Sequence, residues 1–251
     1  MTENKKKMPA PKGAQDTLRL AKHLAATHNL SRAQAEQYIE GGYVRVNGVV
    51  IESPQHRVKG DSSERLELDS QAKLAPIVPM TILWHKPSGM PAQGTTDKAC
   101  AGITLANRAS IDRSGIRLLQ RHLKEQVCVT PLETGASGLV VFTQDFPIKR
   151  KLIQDNAFVE NEMIVDVAGE VSEQQLRGLN RPPMKVAMSK QTDKITGLRF
   201  AIKGYAAGSI AAQCQHVGLQ IEAMRRIRVG RIPLAGLEVG QWRFLMGYER
   251  F

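Results

Sequence analysis

The chain has only three cysteines, and none forms a CxxC pair or lies beside clustered histidines: Cys100, Cys128 and Cys214. An odd number at this spacing excludes a disulfide framework and a zinc site. No apolar run reaches about 18 residues, which excludes a transmembrane helix. Residues 1–13 are polar, with three successive lysines, and lack the apolar core of a signal peptide. We therefore expect a reduced, cytoplasmic protein without membrane association.

Acidic residues are fewer than basic ones: the chain has 24 Asp and Glu and 35 Lys and Arg, which gives a net charge of +11 and a sequence pI near 9.8. This balance favours a polyanionic partner such as nucleic acid. Apolar and charged contents of 42% and 24% are those of a globular protein. The length allows one large domain and a small appended one.

Residues 1–15 predict a flexible basic tail, and residues 16–70 a small domain. Its first helix has an apolar face and a basic face: Leu18, Leu20, Ala21, Leu24 and Ala25 on one, Arg19, Lys22 and His23 on the other. A second helix opens with a capping box from Ser31 to Gln34 and ends at Gly41-Gly42. Asn47-Gly48 then predicts a β-hairpin.

Two short helices and an Asn-Gly hairpin, with basic outer faces, resemble the RNA-binding module of ribosomal small-subunit protein four. The resemblance implies a domain that holds structured RNA through its phosphates. It assigns RNA contacts to seven residues: Arg19, Lys22, His23, Ser31, Arg32, Arg45 and Asn47. Ala33 stands where that family often has a second arginine, which removes one phosphate contact. The alternative is a charged, solvated helix face without a ligand.

Residues 71–79 contain two prolines and little periodicity, and predict a linker to a second domain at residues 80–251. Strands are predicted there at 81–84, 127–129, 139–143, 163–167 and 198–202, and helices at 149–153, 172–179 and 209–216. Short strands interrupted by helices, without regular βαβ alternation, predict an α+β domain on a mostly antiparallel mixed sheet.

The most informative pattern is Leu132-Glu133, three residues, then Ser137-Gly138-Leu139 and a β-branched run. It resembles the active-site segment of the RNA pseudouridine synthases, and residues 219–230 together with 237–243 resemble the last strands of that family. With the two modules in this order, the nearest group is the ribosomal synthases RsuA, RluB, RluE and RluF. The resemblance implies isomerisation of a flipped uridine in structured, ribosomal RNA, with neither metal nor organic cofactor. We expect a monomer.

In that family an aspartate drives cleavage and re-formation of the glycosidic bond, a tyrosine packs on the base, and a basic residue pairs with the aspartate. This chain has Glu133 at the aspartate position, Pro131 at the preceding arginine, and Met163 at the tyrosine of Lys-x-Tyr-x-Val. The helix that carries arginines in the family corresponds to residues 208–213, which contain none. Because a displacement of about 1 Å can cost about 100-fold in rate, these departures together favour loss of the ordinary activity.

Two interpretations stay open: an active synthase that uses Glu133 with Met163 against the base, and a non-catalytic RNA-binding or ribosome-assembly factor. Glu133 itself is a retuned nucleophile or base, a buried acid paired with Lys86, or a solvated loop carboxylate. Four further basic residues are candidates for RNA contact: Lys86, Arg225, Arg226 and Arg228. Asp145 is interpreted as a helix N-cap.

Overall fold

The computed structural model describes residues 17–60, 63–76, 78–91 and 102–251, and the chain divides into two compact units, Met1–Ile77 and Val78–Phe251. The expected tail at residues 1–15 and Cys100 lie outside the described residues. The linker at residues 71–79 stays a prediction. In the described part of the chain, no helix is both long and apolar enough to cross a bilayer.

The first unit combines two helices, α1 (Leu20–Thr27) and α2 (Arg32–Glu40), with short strands. The strands are β1 (Thr17–Arg19), β2 (Val44–Val46), β3 (Val49–Val50), β4 (Arg57–Lys59) and β5 (Leu66–Leu68). β1 pairs with β4, and β3, β2 and β5 form a second antiparallel sheet in that order. Its core consists of apolar side chains from both helices, β2 and β4: Leu20, Ala21, Leu24, Ala35, Ile39, Val44, Val46 and Val58.

Local signals account for the ends of these elements. The capping box of α2 is confirmed, because Ser31 Oγ accepts from the Gln34 N–H at 3.2 Å and Gln34 Oε1 accepts from the Ser31 N–H at 2.8 Å. The predicted hairpin turns through Asn47 and Gly48, whose φ values are 52° and 79°. The prediction was wrong for Leu18, which pairs in β1 with β4 instead of opening the first helix.

The second unit contains three described helices, α3 (Phe146–Ile153), α4 (Glu173–Leu179) and α5 (Ser209–His216). Its strands are β6 (Thr81–Lys86), β7 (Val127–Cys128), β8 (Ser137–Thr143), β9 (Glu160–Ala168), β10 (Met184–Gln191), β11 (Ile195–Lys203), β12 (Ile221–Val229), β13 (Ile232–Pro233) and β14 (Trp242–Phe244). Short 3-10 helices lie at Leu105–Asn107, Gln120–Leu123 and Asn156–Phe158. Asp145 caps α3 as expected, and its Oδ1 accepts from the Ile148 N–H at 2.9 Å.

The strands of this unit form one mixed sheet in the order β10-β11-β9-β12-β8-β6-β14, with β13 on β12 and β7 on β8. Each described pairing is antiparallel except β12 with β8, which confirms the α+β class with a mostly antiparallel sheet. The parallel pair sets Gly138 opposite Arg226. Gly138 has φ 117°, and a Cβ there would stand 2.3 Å from the Arg226 carbonyl oxygen. Glycine therefore allows the close approach of β8 to β12.

Apolar side chains alternate between two clusters, one on each face of the sheet. On β6, Ile82 and Trp84 join the larger cluster and Leu83 joins the smaller one. On β9, Met163 and Val165 belong to the larger cluster and are 0% exposed. The strand order thus brings the start of β8 and the middles of β9 and β12 together.

The remaining predicted elements are present, with α5 at the predicted residues and with β8 and β9 longer than predicted. Strand β10 has no counterpart in the prediction. It lies at the end of the sheet order, where Met184 and Val186 are buried and the following residues are exposed. The alternation is therefore too short to be recognised in the sequence.

Candidate active site

Residues 131–136 form the loop that precedes β8, here the motif loop. Leu132 and Ala136 are 0% and 1% exposed and fix this loop on the larger apolar cluster. The Ala136 N–H donates to the Glu133 carbonyl oxygen at 3.1 Å, which closes a tight turn. Because the loop is anchored on both sides of Glu133, the fold determines where the glutamate projects.

Both carboxylate oxygens of Glu133 accept hydrogen bonds. The Tyr205 hydroxyl donates to Oε2 at 2.5 Å, and the Gly208 N–H donates to Oε1 at 2.5 Å. Gly208 is the N-cap residue of α5, has φ 87° and offers no side-chain cap. A negative charge at this end of a helix is stabilised by the helix dipole, and hydrogen bonds to a charged group are stronger than neutral ones. Glu133 therefore caps α5 from a distant part of the chain.

Arg226, on β12, is the basic side chain of the site and is 1% exposed. Its Nη2 donates to the carbonyl oxygens of Thr130 and Pro131, both at 2.9 Å, and its Cζ lies 5.0 Å from the centre of the Tyr205 ring. Burial lowers the pKa of Arg226, and the nearby Tyr205 and Glu133 act in the opposite direction. Burial also raises the pKa of Tyr205, which keeps its hydroxyl a donor.

Lys86, at the end of β6, is 0% exposed. Its Nζ donates to the carbonyl oxygens of Pro87 at 3.0 Å, Met90 at 2.7 Å and Thr134 at 3.1 Å. Burial lowers the pKa of Lys86, and the charge of Glu133 opposes this effect. Lys86 and Arg226 were expected on an RNA-contacting surface, but the structure places both in the interior. There, Lys86 and Arg226 tie the motif loop to the sheet through backbone carbonyls.

Met163 lies beside Arg226 on β12 and beside Phe200 on β11. The position of the family's tyrosine thus belongs to the core, and the thioether is 0% exposed. In this conformation a flipped base has no access to it. The proposed contact between Met163 and a base therefore requires the core to open.

A cavity of about 300 Å³ adjoins the motif loop, and its lining includes Cys128, Pro131, Ile153, Asn161, Tyr205 and Arg226. Within the described residues, Nε of Arg226 has no hydrogen-bond partner. Burial raises the pKa of the Cys128 thiol to about 11, so the thiol is neutral near pH 7. No group of three or more His, Cys, Asp or Glu in the described chain could hold a metal ion.

The other two predicted arginines of β12 differ in their surroundings. Arg225 is exposed. Arg228 is half-buried, and its Nη2 donates to Glu160 at 2.5 Å and to Glu162 at 2.6 Å. The hydrogen bond from Arg228 is the main cause of a lowered pKa of Glu162. Arg225 is thus free to face a ligand, whereas acids on β9 neutralise Arg228.

In the first unit, three predicted contact residues meet around a cavity of about 330 Å³: Arg19, Lys22 and Arg32. All three are exposed. Arg32 Nε lies 2.9 Å from Glu36 Oε1, a surface ion pair of a kind that contributes little to stability. The cluster of three cations has the character of a phosphate-binding surface.

The remaining predicted contacts of the first unit lie around this cluster. Ser31 caps α2, and the Asn47 Oδ1 accepts from the Arg65 N–H at 2.9 Å, so both side chains support local structure. Arg45 is exposed, with Nη1 3.4 Å from the Gly48 carbonyl oxygen. His23 is half-buried on α1.

Comparison with known proteins finds similarity in both units. The model of the S4 domain family matches residues 18–63. Over 239 residues the chain is 24% identical to an uncharacterized RNA pseudouridine synthase of Aquifex aeolicus, which covers 92% of this chain and 94% of that one. Over 247 residues it is 23% identical to the dual-specificity RNA pseudouridine synthase RluF of Escherichia coli, covering 93% and 77%. Most of the chain is thus similar in sequence to RNA pseudouridine synthases, and its first unit contains an S4 domain.

Two further comparisons find related proteins. The ribosomal large subunit pseudouridine synthase B of Salmonella typhi is 26% identical over 238 residues, covering 89% of this chain and 78% of that protein. A crystal structure of a pseudouridylate synthase shares the fold, with a TM-score of 0.51 and 17% identity over 91% of this chain and 96% of that one.

The sequence patterns do not predict the two direct partners of Glu133, Tyr205 and Gly208. Tyr205 follows β11 in a Lys-Gly-Tyr-Ala segment that matches no motif, and it lies 72 residues from Glu133 in sequence. Gly208 precedes a helix whose start was predicted, so its N-cap position was recognisable. The helix at residues 208–213 contains no arginine, as the sequence shows, but Lys86 on β6 and Arg226 on β12 interact electrostatically with Glu133.

Proposed function

We propose that this pseudouridine synthase-family protein binds structured ribosomal RNA, as a cytoplasmic monomer, and that it no longer performs the ordinary isomerisation. The match to the S4 domain and the net charge of +11 support RNA binding. A relative named for the large ribosomal subunit supports ribosomal RNA as the partner. One observation carries the loss of chemistry, namely the engagement of both Glu133 oxygens by Tyr205 and Gly208.

The carboxylate would have to leave these donors before it could act on a ribose. A hydrogen bond to a charged group contributes about 1.5–3 kcal/mol, so releasing two costs about 3–6 kcal/mol, a rate factor of about 10² to 10⁴. The base would also have to enter the region of Met163, which is 0% exposed. Glu133 therefore serves the fold, as the cap of α5, and RNA binding remains as the function.

A second candidate is an active synthase, and the buried Arg226 favours it. Its guanidinium supplies a basic group close to the carboxylate, which the arginine-free α5 does not. In that case Tyr205 would position Glu133 for the reaction.

Pseudouridine content separates the two candidates, because isomerisation makes the base reactive to carbodiimide. Ribosomal RNA is mapped from a gene-deletion strain complemented with the wild-type, Glu133→Ala or Glu170→Ala protein. Glu170 is an exposed carboxylate and serves as the matched control. We expect the same marks in every strain. A mark that the wild type and Glu170→Ala restore, but Glu133→Ala does not, would establish the active synthase.

RNA binding is tested on the first unit through the salt dependence of affinity. Alanine at four exposed positions together should reduce the slope of log K against log salt by about 3 to 4, at about 0.7–0.9 per phosphate contact: Arg19, Lys22, Arg32 and Arg45. Lysine at the three arginine positions keeps the charge and should keep the slope. An unchanged slope in the alanine variant would remove this surface from the interface.

A further inference from the structure

The second unit exposes an alternating aromatic and basic surface along α3. Phe146 is 70% exposed and Ile153 48% exposed, and the basic Lys149 and Arg150 lie between them. Residues spaced by three, four and seven positions share one side of a helix. Phe158, 78% exposed, follows in the 3-10 helix directly after α3. These five residues are called the α3 surface.

The α3 surface faces outward on a helix that is firmly attached. Leu152, on the other side of α3, is 4% exposed in the smaller apolar cluster, and Asp145 caps the first turn. Single exposed apolar residues are common, but two phenylalanines exposed beside unengaged cations are characteristic of a binding surface. Among the described residues, no carboxylate forms an ion pair with Lys149 or Arg150.

We propose that the α3 surface docks a single-stranded segment of RNA, an inference that rests on the RNA-binding function proposed above. Phe146 and Phe158 offer ring faces on which unpaired bases stack, while Lys149 and Arg150 meet the phosphates. From Phe146 to Ile153 the helix rises about 10 Å, so the surface is long enough for a short single-stranded segment. A protein partner is less suited, because cations interrupt the apolar area.

The α3 surface also adjoins the candidate site. Ile153 belongs to it and lines the cavity that Pro131 and Arg226 share. An RNA strand on the α3 surface therefore passes the motif loop. In a base-paired duplex the ring faces of the bases are stacked on one another, so the surface selects unpaired RNA.

The test measures binding of the full chain to a short mixed-sequence single-stranded RNA and to its duplex, by fluorescence anisotropy at several salt concentrations. Phe146→Ala and Phe158→Ala should each weaken single-strand binding about five-fold or more, without changing the salt slope. Lys149→Ala with Arg150→Ala should reduce the slope by about 1.4. Leu105→Ala, at a side chain that is 69% exposed, is the control and should bind like the wild type.

Further variants decide what the phenylalanines contribute. Phe146→Leu keeps an apolar side chain without a ring and should bind as weakly as Phe146→Ala. If the leucine variant binds like the wild type, or if duplex and single strand weaken equally in Phe158→Ala, the stacking role is wrong. If both phenylalanine variants bind normally while the quadruple alanine variant of the first unit loses affinity, this inference fails and the proposed function stands. Failure of RNA binding in the wild type would instead remove the proposed function.

Discussion

Tyr205→Phe removes one hydroxyl and keeps the ring, which makes it the sharpest probe of the Glu133 carboxylate. Tyr205 is 7% exposed, donates to Glu133 Oε2 at 2.5 Å, and its ring centre lies 5.0 Å from the Arg226 Cζ. Phenylalanine retains the ring contact and loses the hydrogen bond. A hydrogen bond to a charged group contributes about 1.5–3 kcal/mol, and the partial exposure of Glu133 places the expected loss toward the lower figure.

The assay is urea and thermal unfolding of the variant beside the wild type. In a unit of this size, 1 kcal/mol shifts Tm by about 2–4 °C, so a loss of about 1.5 kcal/mol should lower Tm by about 3–6 °C. Tyr248→Phe is the control. The Tyr248 side chain is 78% exposed, and its hydroxyl contacts the Met246 Sδ. Loss of this hydroxyl should change the free energy of unfolding by less than about 0.5 kcal/mol.

A double-mutant cycle then assigns the effect to the pair. Glu133→Ala and Tyr205→Phe should not add, with a coupling energy of about 0.5–3 kcal/mol. If Tyr205→Phe costs no more than Tyr248→Phe, or if the two changes at the site add fully, the carboxylate does not stabilise the fold through this bond. The structural role given to Glu133 would then be refuted, and with it the reason for expecting no isomerisation.

Three further results are expected. Gly138→Ala should lower the free energy of unfolding, measured in urea, by about 2–6 kcal/mol, because the added Cβ would stand 2.3 Å from the Arg226 carbonyl oxygen on β12. Gly135→Ala is the control: its Cβ would meet no atom within 4 Å, and the free energy of unfolding should not change. Asp112→Asn should destabilise the protein at pH 7, because burial raises the Asp112 pKa but hydrogen bonds led by that from Arg108 outweigh it and lower the pKa in the folded state. In pH-dependent melts the difference from the wild type should be full above the unfolded pKa of about 3.9 and should disappear as the pH falls through the lower folded pKa. The segment Val78–Phe251 alone should unfold cooperatively in calorimetry, because the larger and the smaller apolar cluster both lie within it. Aggregation of the isolated segment would contradict this prediction of an independently folded unit.

Much of the fold follows from neighbouring residues. Asn47 and Gly48 encode their turn in two positions, and the Ser31 box encodes the start of α2, because each signal acts over a few bonds. Strand β10 escapes prediction because the end of a sheet demands little apolar alternation. Leu18 is apolar at a helical spacing, and its pairing with β4 overrides that spacing.

The site was predictable in its location and not in its contacts. The pattern around Glu133 placed the motif loop before β8, because glycine and the apolar strand that follow are local features. The hydrogen bond with Tyr205 depends on the closing of the tertiary structure across 72 residues. The burial of Lys86 and Arg226 has the same origin. Each side chain satisfies backbone carbonyls that only the folded loop brings within reach.

The capping of α5 by Glu133 makes one amide proton a reporter of the whole site. The Gly208 N–H donates to the carboxylate, so it exchanges with solvent only when the motif loop and α5 separate. The Ala212 N–H donates to the Gly208 carbonyl oxygen at 3.0 Å and exchanges when the helix itself unwinds. The ratio of the two exchange rates thus measures how often Glu133 is released without unfolding. RNA that draws the carboxylate away would increase exchange at Gly208 alone.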